Sequence, residues 1–458
     1  MKKFVAVLAG MLFVLGLAAS AFAVHADIPS ETQAVVAKGT TQITLGGSVR
    51  VRGEIRDNAD FNDDTNDSQS YWDQRVRLRL QADVSKNTTG VIHLESPSAA
   101  SSDRQWGSSS AADNEGTGSY LGNVDQGNGK AGSMFILEAW IQHKGSGLLG
   151  VPAGFKIGHM PVKLGYGLFF DHSKFGDDAL NVFIDPMKDL HIELLTAKLS
   201  EGTPANADDT DMYSAIISYN FNKDTSISFD ATLLNEQAPV IAAFAGEDNV
   251  QLWNFGLRGQ TSIAGLGIRA GAELQTGNVE IAGGADQDFN GYALLAGIDY
   301  TLNPVKLSVE FAYGSGDDNA ADNDIDTFQT FQSNIQKYTY VYDYRVTSAA
   351  GATNTGIANT WYIKAGASAD IMKDLNALVN VYYLRAAKNN VVALAGGNTL
   401  GTDKNIGIEV DGKLTYKIDR NLVYWVEGGY LFAGDFYDRA GASADDAYAV
   451  RHGIELSF

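Results

Sequence analysis

Arginine dominates the residues of this chain whose type and spacing could do chemistry. Six arginines stand at alternate positions of two neighbouring segments: Arg50, Arg52, Arg56, Arg75, Arg77 and Arg79. Alternate residues share one face of a β-strand, and a guanidinium group presents fixed donors that suit carboxylates and other anions. Four acids share this face, namely Glu54, Asp73, Asp83 and Glu95, so arginines exceed acids by two. The pattern supports either a surface that guides anions or a set of cross-strand ion pairs.

Further charged residues with alternating spacing lie on later segments and would form an opposite wall in a closed sheet. They are Asp230, Arg258, Arg269, Glu273 and Asp299, which together carry one net negative charge. His93 stands two residues before Glu95 on one face. Opposed walls of unlike charge would set an electric field across an interior passage. We therefore expect these charged residues and His93 to line a pore.

Residues suited to catalysis are sparse. Cysteine is absent, which excludes disulfides, thiolate metal sites and cysteine nucleophiles. His172 lies between Asp171 and Ser173, but adjacent side chains point apart, and local spacing places no nucleophile and base together at any of the seven histidines. We expect no enzymatic activity and no cofactor.

The charge balance excludes one class of partner. The formal net charge is −21 at pH 7, whereas nucleic-acid binding rests on clustered lysine and arginine. Much of the acid is crowded into two loops, around residues 57–67 and 317–326. Calcium binds several carboxylate oxygens, but the run from Asp63 to Asp67 lacks the Asp-x-Asp-x-Asp-Gly spacing. We expect solvated acidic loops with no dedicated metal site.

The elements that position these residues are strands. From Ile43 to Ile55, odd positions are apolar or glycine and even positions are polar or glycine, which is the alternation of a strand with two unlike faces. The same reading predicts eighteen strands, at residues 41–56, 71–85, 89–96, 133–144, 153–161, 179–185, 190–200, 212–221, 225–235, 251–263, 266–276, 291–302, 305–314, 360–371, 375–387, 404–418, 421–433 and 446–458.

The connections between these strands alternate between short turns and long polar loops. Short periplasmic turns and long extracellular loops are typical of outer-membrane barrels, and an even strand number lets the last strand pair antiparallel with the first. The predicted fold is therefore all-β, a single transmembrane antiparallel barrel of about 18 strands. Loops 97–132 and 315–359 are the candidates to constrict it.

The apolar faces indicate contact with lipid. No charge interrupts the outward series along 291–302, 305–314 or 404–418, and Tyr292 and Tyr300 are spaced like an aromatic girdle. A soluble sandwich or propeller could also bury apolar faces, but its core would require bulky side chains where these faces carry many Gly and Ala. We expect the lipid bilayer and lipopolysaccharide to surround the barrel.

Both ends of the chain carry export signals. Residues 1–23 have a lysine pair, an apolar stretch and an Ala21-Phe22-Ala23 cleavage site, which predicts a signal peptide cleaved after Ala23. Residues 24–40 would form a short periplasmic segment and 41–458 the barrel. The last strand places Tyr448, Val450, Ile454, Leu456 and Phe458 at alternate positions, interrupted by His452. This final aromatic strand resembles the signal that the outer-membrane assembly machinery recognises.

Two motifs carry a family resemblance that extends over the whole mature chain. They are Arg75-Val-Arg-Leu-Arg-Leu-Gln-Ala-Asp83 and Lys156-Ile-Gly-His-Met-Pro-Val-Lys-Leu-Gly-Tyr-Gly167. The chain resembles outer-membrane porins of the alginate-export-like, roughly 18-stranded group, and most of all the major channel proteins of metal-reducing delta-proteobacteria. Gly158-His159 departs from the Gly-Arg that relatives often have. The resemblance implies passive transport without naming a solute.

Together these features predict an outer-membrane porin that passes small hydrophilic solutes or ions by passive diffusion. The alternative is a structural or adhesive barrel that acts through its long surface loops. Either could be a homo-oligomer. Discrete conductance steps in a planar bilayer would separate the two.

Overall fold

Eighteen antiparallel strands form one closed sheet in the computed structural model of this chain. The structure describes residues 34–38, 41–96, 104–105, 134–147, 150–201, 209–237, 249–281, 284–319, 322–331, 338–345, 356–389, 403–438 and 442–458. Within these residues the barrel strands are β1 (Thr41–Asp57), β2 (Gln69–Ser85), β3 (Thr88–Glu95), β4 (Phe135–Gly145), β5 (Ala153–Met160), β6 (Asp177–Met187), β7 (Leu190–Ser200), β8 (Thr210–Asn222), β9 (Thr225–Glu236), β10 (Asn249–Ile263), β11 (Leu266–Glu280), β12 (Tyr292–Leu302), β13 (Val305–Gly314), β14 (Thr360–Met372), β15 (Leu375–Ala386), β16 (Asn405–Asp419), β17 (Leu422–Ala433) and β18 (Ala447–Ser457).

Closure of the barrel depends on the pairing of the first and last strands. β18 runs antiparallel to β1, with Ser48 opposite Ser457 at one end and Asp57 opposite Tyr448 at the other. The terminal Phe458 exchanges two backbone hydrogen bonds with Gly47, at 2.7 and 2.9 Å. A side chain at Gly47 would collide with the Arg77 carbonyl and the Phe458 ring, so only glycine fits this closing contact.

All eighteen predicted strands are present, with bounds that shift by a few residues. Four short strands were not predicted, because two to five residues are too few to show an alternation. They are Ala34–Lys38, Arg104–Gln105, Gln287–Phe289 and Asp324–Ile325. The first of these falls in the predicted 24–40 segment and pairs antiparallel with the start of β1, from Thr41 to Leu45. The predicted signal peptide lies outside the described residues.

The two faces of the sheet point as predicted. Apolar residues such as Leu78 and Val309 are exposed on the outer surface, whereas Arg52, Asp73 and Glu95 are buried inside. The predicted series on the last strand, from Tyr448 to Phe458, is also exposed on the outer face. Outer aromatics form neighbouring pairs, among them Tyr219 with Phe221 and Trp253 with Phe255.

The barrel interior is not polar throughout, although the alternating pattern of the sequence predicts a polar inner face. Near the long-loop ends, several inward residues are apolar and fully buried, namely Met212, Leu234, Val250, Leu252, Ala293, Ala312, Leu384 and Leu431. They pack in one hydrophobic cluster with loop residues that include Phe169, Phe170, Phe328 and Phe331. Phe170 and Phe331 come from different loops and stack at 5.7 Å. Loops therefore fold into the barrel and close part of this end with an apolar core.

No helix among the described residues is long and apolar enough to cross a membrane.

Candidate functional site

The arginines of β1 and β2 form a layer of cross-strand ion pairs on the inner wall. Arg52 contacts Asp73 at 2.8 Å and Arg50 approaches the same carboxylate at 3.9 Å. Glu95, which is fully buried, is paired with Arg77 and lies 3.9 Å from Arg75. Because each acid is shared between two arginines, the pairs lock β1, β2 and β3 together while the wall keeps a positive bias.

One further acid of this wall comes from the last strand and was not among the predicted residues. Glu455 on β18 lies 3.6 Å from Arg75, because closure of the barrel places the last strand beside the first. Counting Glu455 reduces the excess of arginines over acids from two to one. Local spacing could not reveal this contact, since 380 positions separate the two residues in the chain.

The remaining predicted pore-lining residues of β1 and β2 also have polar partners. Arg56 donates to Gln69 at 3.0 and 2.5 Å, and Arg79 donates to Gln81 at 3.0 Å. Asp83 accepts from the Thr89 hydroxyl at 2.7 Å. Glu54 is buried opposite Arg451 in the pairing of β1 with β18.

His93 belongs to a second inner cluster, on β3 to β5. Its Nδ1 lies 3.0 Å from Glu138, and the same carboxylate accepts from the Trp140 indole at 2.8 Å. The Lys156 ammonium lies 4.2 Å from the centre of the Trp140 ring. Local spacing gave no partner for His93, but the pairing of β3 with β4 supplies one.

Three of the five predicted residues of the opposite wall, Asp230, Arg258 and Glu273, are brought together, whereas Arg269 and Asp299 have other partners. Arg258 pairs with Asp230 and lies 3.4 Å from Glu273, which accepts from Asn254 at 2.8 Å. On the next strands, Arg269 pairs with Glu310, which also binds Lys364 at 2.7 Å and accepts from the Tyr362 hydroxyl at 2.9 Å. Asp299 is bound by Lys306 at 2.9 Å.

The loop that joins β5 to β6, residues 161–176, folds against this wall. The Tyr166 hydroxyl donates to the Gly259 carbonyl at 3.0 Å, and its ring fills the space that a side chain at Gly271 would need. Gly165, with φ of 51°, packs on the Arg258 guanidinium. This loop was not among the predicted constrictions. Its apolar residues, Val162, Leu164, Phe169 and Phe170, were the available signal.

A second inserted segment is the stretch 338–345, which confirms for these residues that loop 315–359 turns inward. The backbone amides of Val341 and Tyr342 donate to the Glu409 carboxylate at 2.6 and 2.8 Å, and the Tyr340 amide donates to Asp411 at 3.1 Å. Charge-assisted hydrogen bonds of this kind are about twice as strong as neutral ones. Of the other candidate, loop 97–132, only Arg104–Gln105 is described, and it pairs with β2.

Aromatic rings hold the inserted segment from the side of β17 and β18. The Arg451 guanidinium lies within 5.3 to 5.5 Å of the ring centres of Tyr340, Tyr344 and Trp425, and pairs with Glu427. Lys413 binds the same carboxylate at 2.6 Å. The segment is therefore anchored both by its backbone and by cation–π contacts.

The acidic loop around residues 317–326 is bound by protein groups. Lys388 contacts Asp318 at 3.0 Å, and this hydrogen bond raises the pKa of the lysine. Burial, together with the charges of Asp317, Asp324 and Asp322, raises the pKa of Asp326. In the described part of the chain, no group of three acidic or histidine side chains is arranged to hold a metal ion.

The residues around His172 do not form a catalytic triad. His172 Nδ1 lies 2.7 Å from Asp177, whereas the Ser173 hydroxyl donates to Asp171 at 2.6 Å. The serine and the histidine thus have separate acid partners, and neither acts on the other.

A closed barrel of eighteen antiparallel strands, apolar outside and lined by ion pairs inside, with loops folded into its interior, defines a protein of the outer-membrane porin class. A comparison with protein families matches residues 41–450 to the family described as alginate export. The chain belongs to this family. A search of curated proteins found no match.

Solved structures agree on the fold. OpdK of Pseudomonas aeruginosa is 12% identical with a TM-score of 0.54, and the alignment covers 91% of this chain and 98% of OpdK. OccK9 (OpdG) of the same organism is 13% identical, with a TM-score of 0.54 and the same coverage. OprD of the same organism is 10% identical with a TM-score of 0.52, covering 91% of this chain and 93% of OprD. These likenesses establish the barrel architecture.

Proposed function

We propose that this chain is a passive diffusion channel for small hydrophilic solutes or ions in the bacterial outer membrane. The observation that carries the proposal is the inner wall, where charged side chains from β1–β3 and β9–β14 point into the interior enclosed by a continuous sheet. Polar groups inside a barrel replace the hydration of a passing solute, which an apolar lumen could not do.

Different parts of this interior select solutes by charge and by size. The arginine layer on β1 and β2 is the main positive surface of the path and favours anions or carboxylates. The two inserted segments, 161–176 and 338–345, reduce the cross-section, because an eighteen-stranded barrel is otherwise a wide aqueous tube. The predicted pore-lining residues thus act as a charge surface beside a constriction that loops provide.

Export and assembly complete the proposal. The leader 1–23 would be cleaved after Ala23, residues 24–40 would remain in the periplasm, and the final strand ending at Phe458 would be recognised by the assembly machinery. The motif Arg75–Asp83 supports a place in the broad alginate-export-like group, within which the chain most resembles the major channel proteins of metal-reducing delta-proteobacteria. Association into homo-oligomers within lipopolysaccharide-containing membrane is compatible with the apolar outer face.

Conductance through a planar bilayer tests the function directly. The purified mature protein should produce discrete current steps that scale with salt concentration. A protein that inserts as a barrel but never conducts would refute the channel and favour the structural or adhesive alternative. A variant that lacks residues 338–345 should conduct more than the wild type if this segment narrows the passage.

A further inference from the structure

A cluster of four ionisable residues lies on the inner wall of β4, β6 and β7, away from the arginine layer. His191 Nδ1 lies 2.7 Å from Asp185 Oδ1, and His191 Nε2 lies 3.3 Å from Glu193 Oε2. The Lys144 ammonium binds the other oxygen of Asp185 at 3.0 Å. The cluster adjoins the short turn between Met187 and Leu190, so it stands at the short-turn mouth of the barrel.

The side chains of this cluster are held in place and remain accessible. Phe183 packs against the imidazole at 5.7 Å and lies under the Lys144 ammonium, also at 5.7 Å. Asn181 donates to the second oxygen of Glu193 at 2.6 Å. The side chains of His191 and Lys144 are 35% and 53% exposed, so ions in the mouth can reach them.

The hydrogen bonds of His191 depend on its protonation state. A neutral imidazole has one donor and one acceptor nitrogen, so it can donate to only one of the two carboxylates. The imidazolium form donates to both Asp185 and Glu193. Protonation therefore completes the network and adds one positive charge to a mouth that holds two carboxylates and one ammonium.

The other groups near His191 do not cancel the positive charge that it gains on protonation. β8 presents Ser218 opposite His191, and the serine hydroxyl does not titrate between pH 5 and pH 8. β5 presents Lys156 toward Glu193, but this lysine lies on Trp140 and faces Glu138 first. The adjoining turn adds exposed Lys188 and Asp189, one charge of each sign.

We propose that the Lys144–Asp185–His191–Glu193 cluster is a second charge filter, at the short-turn mouth, and that His191 makes the ion preference of the channel depend on pH. The inference rests on the proposed channel function. With neutral His191 the cluster carries one net negative charge and favours cations. With protonated His191 the cluster is neutral and this preference is lost.

The test is the reversal potential of single channels in a KCl gradient near 0.01 M, where the Debye length is about 30 Å. Measurements at pH 8 and pH 5 bracket the ordinary titration range of imidazole. Acidification should lower the cation-to-anion permeability ratio of the wild type by about tenfold, because one unit charge about 6 Å away in water changes the occupancy of cations and of anions by about threefold each, in opposite directions. Acidifying only the short-turn side should produce most of this change.

Three variants separate this filter from other titrating groups. His191→Gln should lose most of the pH effect. His191→Lys should already lack the cation preference at pH 8, as the wild type does at pH 5. His143→Gln is the matched control, because His143 is on the outer face near the same mouth and binds Thr88; this variant should keep the full effect. Circular dichroism verifies that each variant is folded.

Each outcome is decisive. If the wild type conducts but shows no pH effect, or if His191→Gln keeps the full effect, the filter is refuted while the channel function stands. If the wild type forms no conducting channel at any pH, the proposed function is refuted and the filter with it.

Discussion

Removing the β2 half of the arginine layer provides a sharp test of how the channel distinguishes ions. Replacing Arg75, Arg77 and Arg79 with glutamine keeps hydrogen-bonding groups in place and removes three positive charges. Two of these arginines share Glu95, which is fully buried. The triple replacement would leave that carboxylate without a counter-charge, at a cost of about 3–5 kcal/mol. Glu95→Gln must therefore be added.

The quadruple variant lowers the charge of the wall by two units without a buried, unpaired charge. Two charges about 8 Å from a passing ion, in a water-like medium, contribute together about 1 kcal/mol. This changes the occupancy of each ion about sixfold, in opposite directions for cations and anions, so the permeability ratio changes about thirtyfold. We expect a shift of that size toward cations at 0.01 M salt. At 1 M salt the Debye length is about 3 Å, and the shift should nearly vanish.

The reversal potential in a salt gradient measures this ratio directly. The matched control replaces the same three arginines with lysine and retains Glu95, which preserves the charge but not the forked geometry. It should stay close to the wild-type potential at low salt. If the glutamine variant folds, conducts and keeps the wild-type reversal potential at 0.01 M, the arginines reinforce the wall and do not select ions.

Other predictions concern the sheet and the inserted segments. Val309→Arg should destabilise the folded barrel in lipid vesicles by about 2–4 kcal/mol, because Val309 is exposed to lipid midway along β13. Ser308→Arg, one residue away on the inner face, should be tolerated in the same urea titration. Equal losses of stability would show that the assignment of inner and outer faces is wrong. Gly271→Val should displace Tyr166 and increase single-channel conductance, and an unchanged conductance would mean that loop 161–176 does not narrow the path. Glu409→Ala removes the acceptor of two backbone amides and should make segment 338–345 more accessible to protease, whereas wild-type protection would show that other contacts hold it.

The barrel strands could be predicted from the sequence because their signal is local. Each strand has one face toward lipid and one toward the interior, and the period of two appears wherever that is true. The assignment of faces also followed, since a charge on the lipid side is costly and none interrupts the apolar series. The four short strands were not predicted because backbone pairing with a neighbouring strand defines them, and they are too short to show an alternation of polar and apolar residues.

The contacts inside the barrel could not be predicted, because they join residues far apart in the chain. Glu455 reaches Arg75 only through closure, and Glu138 reaches His93 only through the register of β3 with β4. The carboxylates of Glu409 and Asp411 looked like ordinary lumenal acids on β16, yet their partners are backbone amides of an inserted loop. The loop 161–176 did carry a local signal, since a polar loop has no need for two adjacent phenylalanines.

Two parts of the interior, the inserted segments and the charged clusters, are held by different kinds of interaction and should respond to different substitutions. The inserted segments are held mainly by apolar packing, one aromatic hydroxyl, three backbone amides and the cation–π contacts of Arg451 with Tyr340 and Tyr344. The arginine layer and the His191 cluster are held by ion pairs whose net charge is small and whose sign can be altered by one or two residues. Variants at the loops should therefore change conductance and leave the reversal potential in place, whereas variants at the charged clusters should do the opposite. A loop variant that changed the reversal potential as strongly as the loss of the arginines would show that size and charge are selected at one place and not at two.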